Sequence, residues 1–355
     1  MSRFLVVGAG IIGAAIAERL TARGEEVVVV DGGLVAGGAT AASFGWINAS
    51  FYADEAHFRL RREGLRAWRR VSERTGVRGV SWTGTLTWEG DLDAQEAALY
   101  ELGYEVTRLD GKSLSYLEPA LRKPPDAALA FHLEGVGEPQ QVTQGLMDRA
   151  VAAGAQLILG QRVRSLLAGD DAVVGVETDA GLLPADHVIL ATGTGTSDLL
   201  APLGLDLPML DRPADMVVTA PAPSMLGHIL VTEEREIRQD KAGRFWLPSN
   251  PRHQVVTGAV EAFHQEQITQ RSLDVLMRTV VVDEPRVEQL IRAKRPVPGD
   301  GLPVVGETGI GGLTVAVMHS GVTLAALVGE LVAHEIEGEA SEMLAPYRLA
   351  RFQKG

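Results

Sequence analysis

The first thirty-one residues place short apolar runs on either side of a glycine-rich turn. Residues 4–7 are apolar, residues 8–13 read GAGIIG, and apolar positions then recur over residues 12–20 at helical spacing. Residues 27–30 are consecutive valines, and Asp31 follows them. The pattern predicts a strand, a tight turn, a helix and a second strand that ends in an acid.

Each glycine of this turn has a mechanical reason to be a glycine. Gly8 permits the turn, Gly10 lets the backbone approach a pyrophosphate, and Gly13 lets the helix pack on the strand. An anion at the helix N-terminus would meet free N–H groups and the positive end of the helix dipole. Asp31 would accept hydrogen bonds from ribose hydroxyls. The unit therefore predicts a dinucleotide site; the alternative is a buried strand and a glycine turn without a ligand.

Residues 32–50 are rich in glycine and other small residues. Such a segment does not order as an isolated helix or strand, because its conformational entropy is too high. It must be ordered by what it lies against. Its length suits a flavin dinucleotide better than NAD, because the ribityl chain and rings extend past the first βαβ unit. A flexible surface loop is the alternative.

The rest of the chain predicts further helices and two groups of strands. Helical periodicity predicts helices at residues 56–73, 91–102, 110–117, 138–153, 268–279 and 322–335. Apolar runs and alternation predict strands at residues 80–88, 156–159, 172–177, 188–190, 216–219, 228–231, 235–239, 244–248, 253–258 and 313–317. The strands between 216 and 258 are separated by turns and predict an antiparallel sheet. The strand at 188–190 ends in small residues, which leave room for a ligand at its carboxyl end.

Composition narrows the class of protein. The chain has 355 residues, of which 46% are hydrophobic, which favours two interleaved domains. A net charge of −13 disfavours nucleic acid or an anionic membrane as a partner. No apolar run approaches the ~20 residues of a membrane span. The absence of cysteine excludes disulfides, thiolate nucleophiles and a cysteine-linked flavin, and is compatible with the cytoplasm, the location we expect.

Four motifs in this order resemble the FAD-dependent D-amino-acid oxidase superfamily, within it the glycine oxidase and sarcosine oxidase branch. They are GAGIIG with Asp31, GGATAASFGWINAS at 37–50, VILATG at 188–193, and RPVPGDGLPVVG at 295–306 before a glycine-containing loop and a final helix. The resemblance covers nearly the whole chain. It implies an α/β fold, in which a Rossmann-type FAD-binding domain of the glutathione-reductase type carries an inserted antiparallel-sheet substrate domain.

The resemblance also implies domain boundaries and contacts to FAD. The FAD-binding domain would comprise residues 1–78, 138–210 and 295–355, and the substrate domain residues 79–137 and 211–294. The implied FAD contacts are Gly8, Gly10, Ile11, Ile12, Gly13, Asp31, Gly32, Ala39, Thr40, Ser43, Phe44, Gly45, Trp46, Ile47, Val163, Ala191, Thr192, Gly193, His319, Ser320, Gly321, Val322, Thr323 and Leu324. The start of the final helix would face the pyrimidine edge of the flavin, where its dipole favours negative charge.

Arg295 looks like the family's carboxylate-binding arginine, because a guanidinium can hold a carboxylate with two parallel hydrogen bonds. A structural ion pair is the alternative. Trp46 and Asn48 complete the predicted catalytic set, whereas for Tyr52 and Trp246 core packing is favoured over a place in the substrate pocket. The implied reaction is hydride transfer from the α C–H bond of a neutral amine to flavin N5. Water then hydrolyses the imine, and O2 takes the electrons and becomes H2O2.

The chain departs from the family pattern in two places. Ala214 and Asp215 stand where relatives often carry Gly-Gln, and Met318 stands where relatives tend to have a glycine before His319. Both departures leave the identity of the substrate and the reactivity with oxygen open. Because cysteine is absent, FAD is predicted to bind without a covalent bond, a histidyl link being the exception.

Other readings and residues carry less weight. One alternative is a dehydrogenase subunit that passes electrons to a partner protein or quinone. The other is a nucleotide-binding module without catalysis. The sequence is compatible with a homo-oligomer or a hetero-oligomer.

The arginines of the first long helix are predicted to form a solvated face: Arg59, Arg61, Arg62, Arg66, Arg69 and Arg70. No metal site is predicted, because four histidines lack ligand spacing: His57, His132, His253 and His264. Lys241 is predicted to lie in a solvated turn.

Overall fold

The computed structural model describes residues 2–223, 225–248 and 265–353. Its helices are α1 (Ile11–Thr21), α2 (Gly38–Ala41), α3 (Glu55–Thr75), α4 (Leu92–Glu101), α5 (Gly111–Leu117), α6 (Pro139–Ala152), α7 (Thr196–Leu200), α8 (Gln265–Thr279) and α9 (Gly321–Ile336). Short 3-10 helices lie at Gly193–Gly195, Ala201–Leu203, Glu342–Tyr347 and Leu349–Phe352. The predicted strand at 253–258, with His253 and His264, lies outside the described residues.

The strands of the described ranges form five sheets. They are β1 (Arg3–Val7), β2 (Glu26–Asp31), β3 (Trp46–Ile47), β4 (Val80–Ser81), β5 (Thr85–Thr87), β6 (Thr107–Asp110), β7 (Ala127–Phe131), β8 (Gly135–Gly137), β9 (Gln156–Leu159), β10 (Val163–Ala168), β11 (Val173–Thr178), β12 (Gly181–Pro184), β13 (His187–Leu190), β14 (Met209–Leu210), β15 (Pro213–Thr219), β16 (Ile229–Val231), β17 (Glu236–Gln239), β18 (Phe245–Pro248), β19 (Val287–Lys294), β20 (Val297–Pro298), β21 (Val304–Glu307) and β22 (Leu313–Val317).

A six-stranded sheet in the order β21-β22-β13-β1-β2-β9 forms the centre of the fold, and every pair except β21 and β22 is parallel. Alternate residues of β1 pack into two different hydrophobic cores, one on each face of this sheet. Phe4 and Val6 pack with α1, α6, α3 and α9, whereas Leu5 and Val7 pack with the three-stranded sheet of β10, β11 and β12. Because both faces are buried, the parallel strands are continuously apolar, which is why residues 4–7 and 27–30 were predicted correctly.

The second large sheet has the order β19-β15-β18-β17-β16-β5-β7-β6. All its pairs are antiparallel except β16 with β5, where Leu230 lies opposite Leu86. Its apolar face packs against α8 and α5 around Phe245 and Leu276. The predicted α/β fold with a parallel sheet and a largely antiparallel second sheet is therefore confirmed. The domain boundaries stay a prediction.

Several local predictions were wrong or incomplete. Residues 80–88 are two strands, because Gly84 adopts a φ of +76° and turns the chain; β4 then pairs with β8, and β5 pairs with β7 and β16. The loop after Asp31 contains the one-turn helix α2 and the short strand β3. The other strands that were not predicted are β6, β7, β8, β10, β12, β14, β19, β20 and β21. In β6, β10, β12 and β19 many positions are exposed or half-buried, so the apolar alternation is weak.

None of the helices in the described ranges is long and apolar enough to cross a membrane.

The packing of α9 against α1 requires a glycine. A Cβ atom added to Gly329 would lie 2.7 Å from the carbonyl oxygen of Ala15, so one helix backbone would have to shift. We expect Gly329→Ala to lower the free energy of unfolding by about 1–3 kcal/mol, measured by urea unfolding without added FAD. Gly195→Ala is the matched control, because its added Cβ meets no atom within 4 Å and its φ is −85°. Equal stability of the two variants would contradict this account.

Candidate active site

A cavity of about 910 Å³ lies at the carboxyl ends of the parallel strands. It is lined by Val7 of β1, Asp31 of β2, Ala191 after β13 and Val317 of β22. Carboxyl ends of parallel strands meet at one edge of a sheet, where ligands of such folds bind. The volume falls within the range of cavities that enclose a small organic ligand or cofactor.

The glycine turn forms one wall of this cavity by close backbone contact. Gly8 has a φ of +113°, and an added Cβ atom would lie 2.4 Å from the carbonyl oxygen of Ala191. A Cβ atom on Gly13 would lie 1.9 Å from the carbonyl oxygen of Gly8. Both positions therefore exclude any side chain. The result is a surface of bare backbone at the N-terminus of α1, which fits an approaching pyrophosphate.

Asp31 and Thr40 brace this turn. The two carboxylate oxygens of Asp31 accept hydrogen bonds from the backbone N–H of Ala9 at 2.7 Å and of Gly33 at 2.6 Å. The N–H of Ile11 donates to Thr40 Oγ1 at 3.1 Å, so α2 is held against the start of α1. Asp31 lines the cavity as well as holding the turn.

Most of the residues predicted from the sequence line this one cavity. They are Gly8, Gly10, Ile11, Ile12, Asp31, Gly32, Ala39, Thr40, Ser43, Phe44, Gly45, Trp46, Asn48, Val163, Ala191, Thr192, Gly193, Arg295, His319, Ser320, Gly321 and Val322. The departures at Ala214, Asp215 and Met318 also line it. Asp215 forms a salt bridge with Arg292, with 2.9 Å between Oδ1 and Nε.

Four predicted contacts are not part of the cavity lining: Gly13, Ile47, Thr323 and Leu324. They support the wall instead. Thr323 Oγ1 donates to the carbonyl oxygen of Trp46 at 3.0 Å and accepts from the N–H of Asn48 at 3.3 Å, which joins α9 to β3. Leu324 lies against Gly64 of α3, and Ile47 is buried beside Gly137.

Tyr52 and Trp246 do not line the cavity either. Tyr52 packs edge-on against Phe58 with ring centroids 5.4 Å apart, and Trp246 donates from Nε1 to Asp240 at 2.9 Å. The interpretation of these two residues as packing residues therefore agrees with the structure.

Trp46 is fixed in the cavity wall by a buried carboxylate that was not predicted. Its indole N–H donates to Glu134 Oε2 and to Thr85 Oγ1, each at 3.0 Å. Glu134 Oε1 also accepts from the N–H groups of Ala49 at 3.0 Å and Ser50 at 2.8 Å. Burial raises the pKa of Glu134, and these backbone donors act in the opposite direction.

Arg238 holds the other end of the same loop. It is buried, donates from Nε to the carbonyl oxygen of Phe44 at 2.6 Å, and pairs with both oxygens of Glu138 at 2.9 and 3.2 Å. Its guanidinium also lies 4.7 Å from the ring centre of Trp246. The loop is therefore ordered by side chains on other elements, as the small-residue composition of residues 32–50 predicts.

The predicted solvated arginine face of α3 is wrong for half of its members. Arg61 is 1% exposed and lines the cavity. Arg62 lies over the ring of Phe58, and Arg69 lies 3.9 Å from the ring centre of Trp82, so both are half-buried. The remaining members, Arg59, Arg66 and Arg70, are exposed.

Arg295 presents a half-buried guanidinium to the cavity. Its Nη2 makes a long hydrogen bond of 3.4 Å to the carbonyl oxygen of Pro213, and within the described residues its Nε has no hydrogen-bond partner. Burial lowers the pKa of Arg295, Glu236 raises it and Arg212 lowers it, yet an arginine stays charged at neutral pH. The group can therefore bind an anion.

His319 lies in the cavity lining just before α9. Burial, then the charges of Arg295, Arg61 and His57, lower its pKa to about 3, so the imidazole is neutral at pH 7. Ser320 follows in the left-handed conformation with a φ of 62°, and α9 begins at Gly321. The positive end of the α9 dipole therefore lies at the cavity wall.

Two other histidines singled out in the sequence, His57 and His132, do not line the cavity. His57 Nδ1 accepts from the N–H of Ala53 at 3.2 Å, and burial with the charge of Arg61 lowers its pKa to about 3. His132 is exposed beside Thr107. In the parts of the chain that the structure describes, no group of three His, Asp or Glu side chains could hold a metal ion. Lys241 is exposed in a turn, as predicted.

Sequence reasoning missed Arg61, Glu134, Arg238 and Glu236, all of which lie at the cavity or brace its wall. A signal existed for Arg61, because it falls on the apolar stripe of α3 with Phe58, Leu65 and Trp68. Arg238 and Glu236 alternate with Ile237 in β17 and looked like a solvent-facing side of the strand. Nothing near Glu134 in the sequence indicated burial.

Comparison with known proteins agrees with this geometry. The family described as FAD dependent oxidoreductase matches residues 3–335. The uncharacterized oxidoreductase YurR of Bacillus subtilis (strain 168) is 27% identical over 385 residues, which cover 98% of each protein. The crystal structure of glycine oxidase from Bacillus cereus ATCC 14579 gives a TM-score of 0.85 at 22% identity, over 100% of both chains. That of L-proline dehydrogenase from P. horikoshii gives 0.84 at 20% identity, over 99% of this chain and 97% of that one.

At these identities the structural likeness establishes the fold, and the family match extends over nearly the whole chain. The chain belongs to the FAD dependent oxidoreductase family, as its four motifs predicted.

Proposed function

We propose that this FAD-dependent oxidoreductase oxidises the C–N bond of a small amino acid or an N-substituted glycine and passes the electrons to O2. The observation that supports this most strongly is that one cavity contains both the dinucleotide turn at Gly8 and the half-buried guanidinium of Arg295. Glycine oxidase and L-proline dehydrogenase, which share the fold, are named for such substrates.

The residues of the cavity fit FAD. The bare backbone at Gly8 and Gly10 would hold the pyrophosphate, and Asp31 has oxygens that can also accept from a ribose. The loop containing Trp46 and the start of α9 would hold the flavin end. When bound, FAD supplies the acceptor for the hydride of the substrate's α C–H bond.

The chain's own side chains have to bind, orient and shield the substrate. Arg295 would hold the carboxylate through two charge-assisted hydrogen bonds and so fix the α-carbon. Trp46, held by Glu134 and Thr85, and Asn48 are the proposed neighbours of the reacting carbon. His319 is neutral, so it adds no positive charge that would repel a cationic amine. No side-chain acid or base is required if the substrate amine is already neutral.

A dehydrogenase of the same fold, which passes electrons to a partner protein or a quinone, is the alternative. L-proline dehydrogenase has the same fold, which supports this alternative. In both candidate functions Arg295 holds the substrate carboxylate. They differ in which acceptor takes the electrons after the substrate is oxidised.

The first test is anaerobic bleaching of the bound flavin by glycine, sarcosine, proline and D- and L-amino acids, followed by admission of air. We expect one class of carboxylated amine to bleach the flavin. Fast recolouring with formation of peroxide supports the oxidase, and slow recolouring supports the dehydrogenase. The same amines with the carboxylate replaced by a methyl group are the control. FAD-bound protein that none of the carboxylated amines bleaches would contradict the proposal.

Replacement of Arg295 tests the binding of the carboxylate. Arg295→Gln should lower kcat/KM by roughly 10- to 150-fold, because it removes charge-assisted hydrogen bonds worth about 1.5–3 kcal/mol. Arg295→Lys should recover part of the loss, since it keeps the charge without the planar pair of donors. Arg278→Gln, on the exposed face of α8, is the control and should behave as wild type. An unchanged KM and kcat in Arg295→Gln would assign the carboxylate to another residue.

Non-covalent attachment of FAD has its own test. The chain has no cysteine, and the described residues that line the cavity include one histidine, His319. After precipitation with acid we expect the yellow colour in the supernatant. A yellow pellet from the wild type, but not from His319→Ala, would show a histidyl link instead.

A further inference from the structure

Arg61 joins three segments that meet at the cavity. From its position in α3, Nε donates to the carbonyl oxygen of Asn48 at 3.2 Å, and Nη2 donates to the side-chain oxygen of the same residue. Nη1 donates to Ser320 Oγ at 2.6 Å, directly before the first turn of α9. Arg61, Asn48 and Ser320 all line the cavity. One guanidinium therefore fixes the end of the loop that contains Trp46 and the start of α9.

The charge of Arg61 is not neutralised by an ion pair. Within the described residues its hydrogen-bond acceptors are a carbonyl, an amide and a hydroxyl, none of which carries a negative charge. Glu134 attracts it from a greater distance and is itself bound to Trp46, Ala49 and Ser50. A buried cation is costly unless negative charge compensates it, so a ligand that carries or gains negative charge in this cavity would be stabilised by Arg61.

The conformation of Ser320 also indicates that Arg61 fixes the backbone at the start of α9. A residue other than glycine with a φ of 62° is held in a sparsely populated region, and such strain persists only where neighbouring contacts enforce it. The 2.6 Å hydrogen bond from Arg61 is such a contact. Holding Ser320 there sets the position at which α9 begins, and with it the placement of the helix N–H groups at the cavity wall.

We propose that Arg61 is a positioning residue for the redox reaction. It holds Asn48 and Ser320 in place and adds a full positive charge to the N-terminus of α9, so that this end of the cavity stabilises the negative charge that a flavin gains on reduction. This inference rests on the proposed binding of FAD in the cavity. It assigns the charge to a residue outside the four motifs from which the site was predicted.

The test compares Arg61→Gln and Arg61→Lys in their FAD-bound forms, with Arg66→Gln as the matched control on the exposed face of α3. Two readouts are used: the dissociation constant of sulfite, which adds to oxidised flavins and leaves negative charge on the ring, and the two-electron midpoint potential. FAD content and circular dichroism show that each variant is folded.

We expect Arg61→Gln to weaken sulfite binding by about tenfold or more and to lower the potential by ~30 mV for each factor of ten. Arg61→Lys keeps the charge, so its sulfite affinity should stay within about threefold of the wild type. Arg66→Gln should match the wild type in both measurements. Changes of this kind are not produced by a purely structural role, since loss of packing alone would affect the lysine and glutamine variants alike.

Three results would overturn the inference. An FAD-bound Arg61→Gln with wild-type sulfite affinity and potential shows that the charge does not act on the flavin. Equal impairment of Arg61→Lys and Arg61→Gln shows a structural role; if Arg61→Gln does not fold, a tenfold weaker sulfite affinity in Arg61→Lys has the same meaning. If the wild-type protein takes up no FAD, the proposed function itself is overturned. This result differs from the other two because the protein is then colourless.

Discussion

Backbone-to-backbone packing through glycine determines where the site lies. Gly13 of α1 lies against Gly8 in the turn after β1, Gly329 of α9 lies against α1, and Gly64 of α3 lies against α9. In each case a Cβ atom would meet a carbonyl oxygen at less than 3.0 Å. This stack holds the N-termini of α1 and α9 at the same edge of the parallel sheet. Two helix dipoles therefore have their positive ends at one cavity, which is suited to a ligand with separate sites of negative charge.

The loop between these two helix ends has little secondary structure and depends on buried polar side chains. Glu134 accepts from Trp46 and Ala49, Arg61 donates to Asn48, and Arg238 donates to Phe44. Glu134 and Arg238 belong to parts of the chain assigned to other strands or their connections. The loop is thus formed by tertiary contacts, and its conformation depends on α3, the connection between β7 and β8, and β17 being in place.

The sequence was most informative where structure is local. The turn at residues 8–13 and Asp31 were predictable because a βαβ unit needs glycines and an acid at fixed spacing, and Arg295 was implied by a motif of adjacent residues. Glu134 and Arg238 could not be predicted in the same way, because the loop residues that they bind, and for Arg238 also Glu138, lie 84 or more residues distant along the chain. Arg61 is intermediate: helical spacing placed it on the apolar stripe of α3, but its five neighbouring arginines suggested a solvated face.

The electrostatics of the cavity oppose those of the whole molecule. The chain carries a net charge of −13, yet Arg61 and Arg295 both face the cavity and both lower the pKa of His319. If Arg61 serves the flavin and Arg295 serves the substrate carboxylate, the two cations act on two different anionic groups. The two positive charges disfavour a protonated amine beside them, and the neutral His319 adds no third charge. The arrangement therefore favours a substrate that carries a carboxylate and an uncharged amine, which is the form from which a hydride can leave.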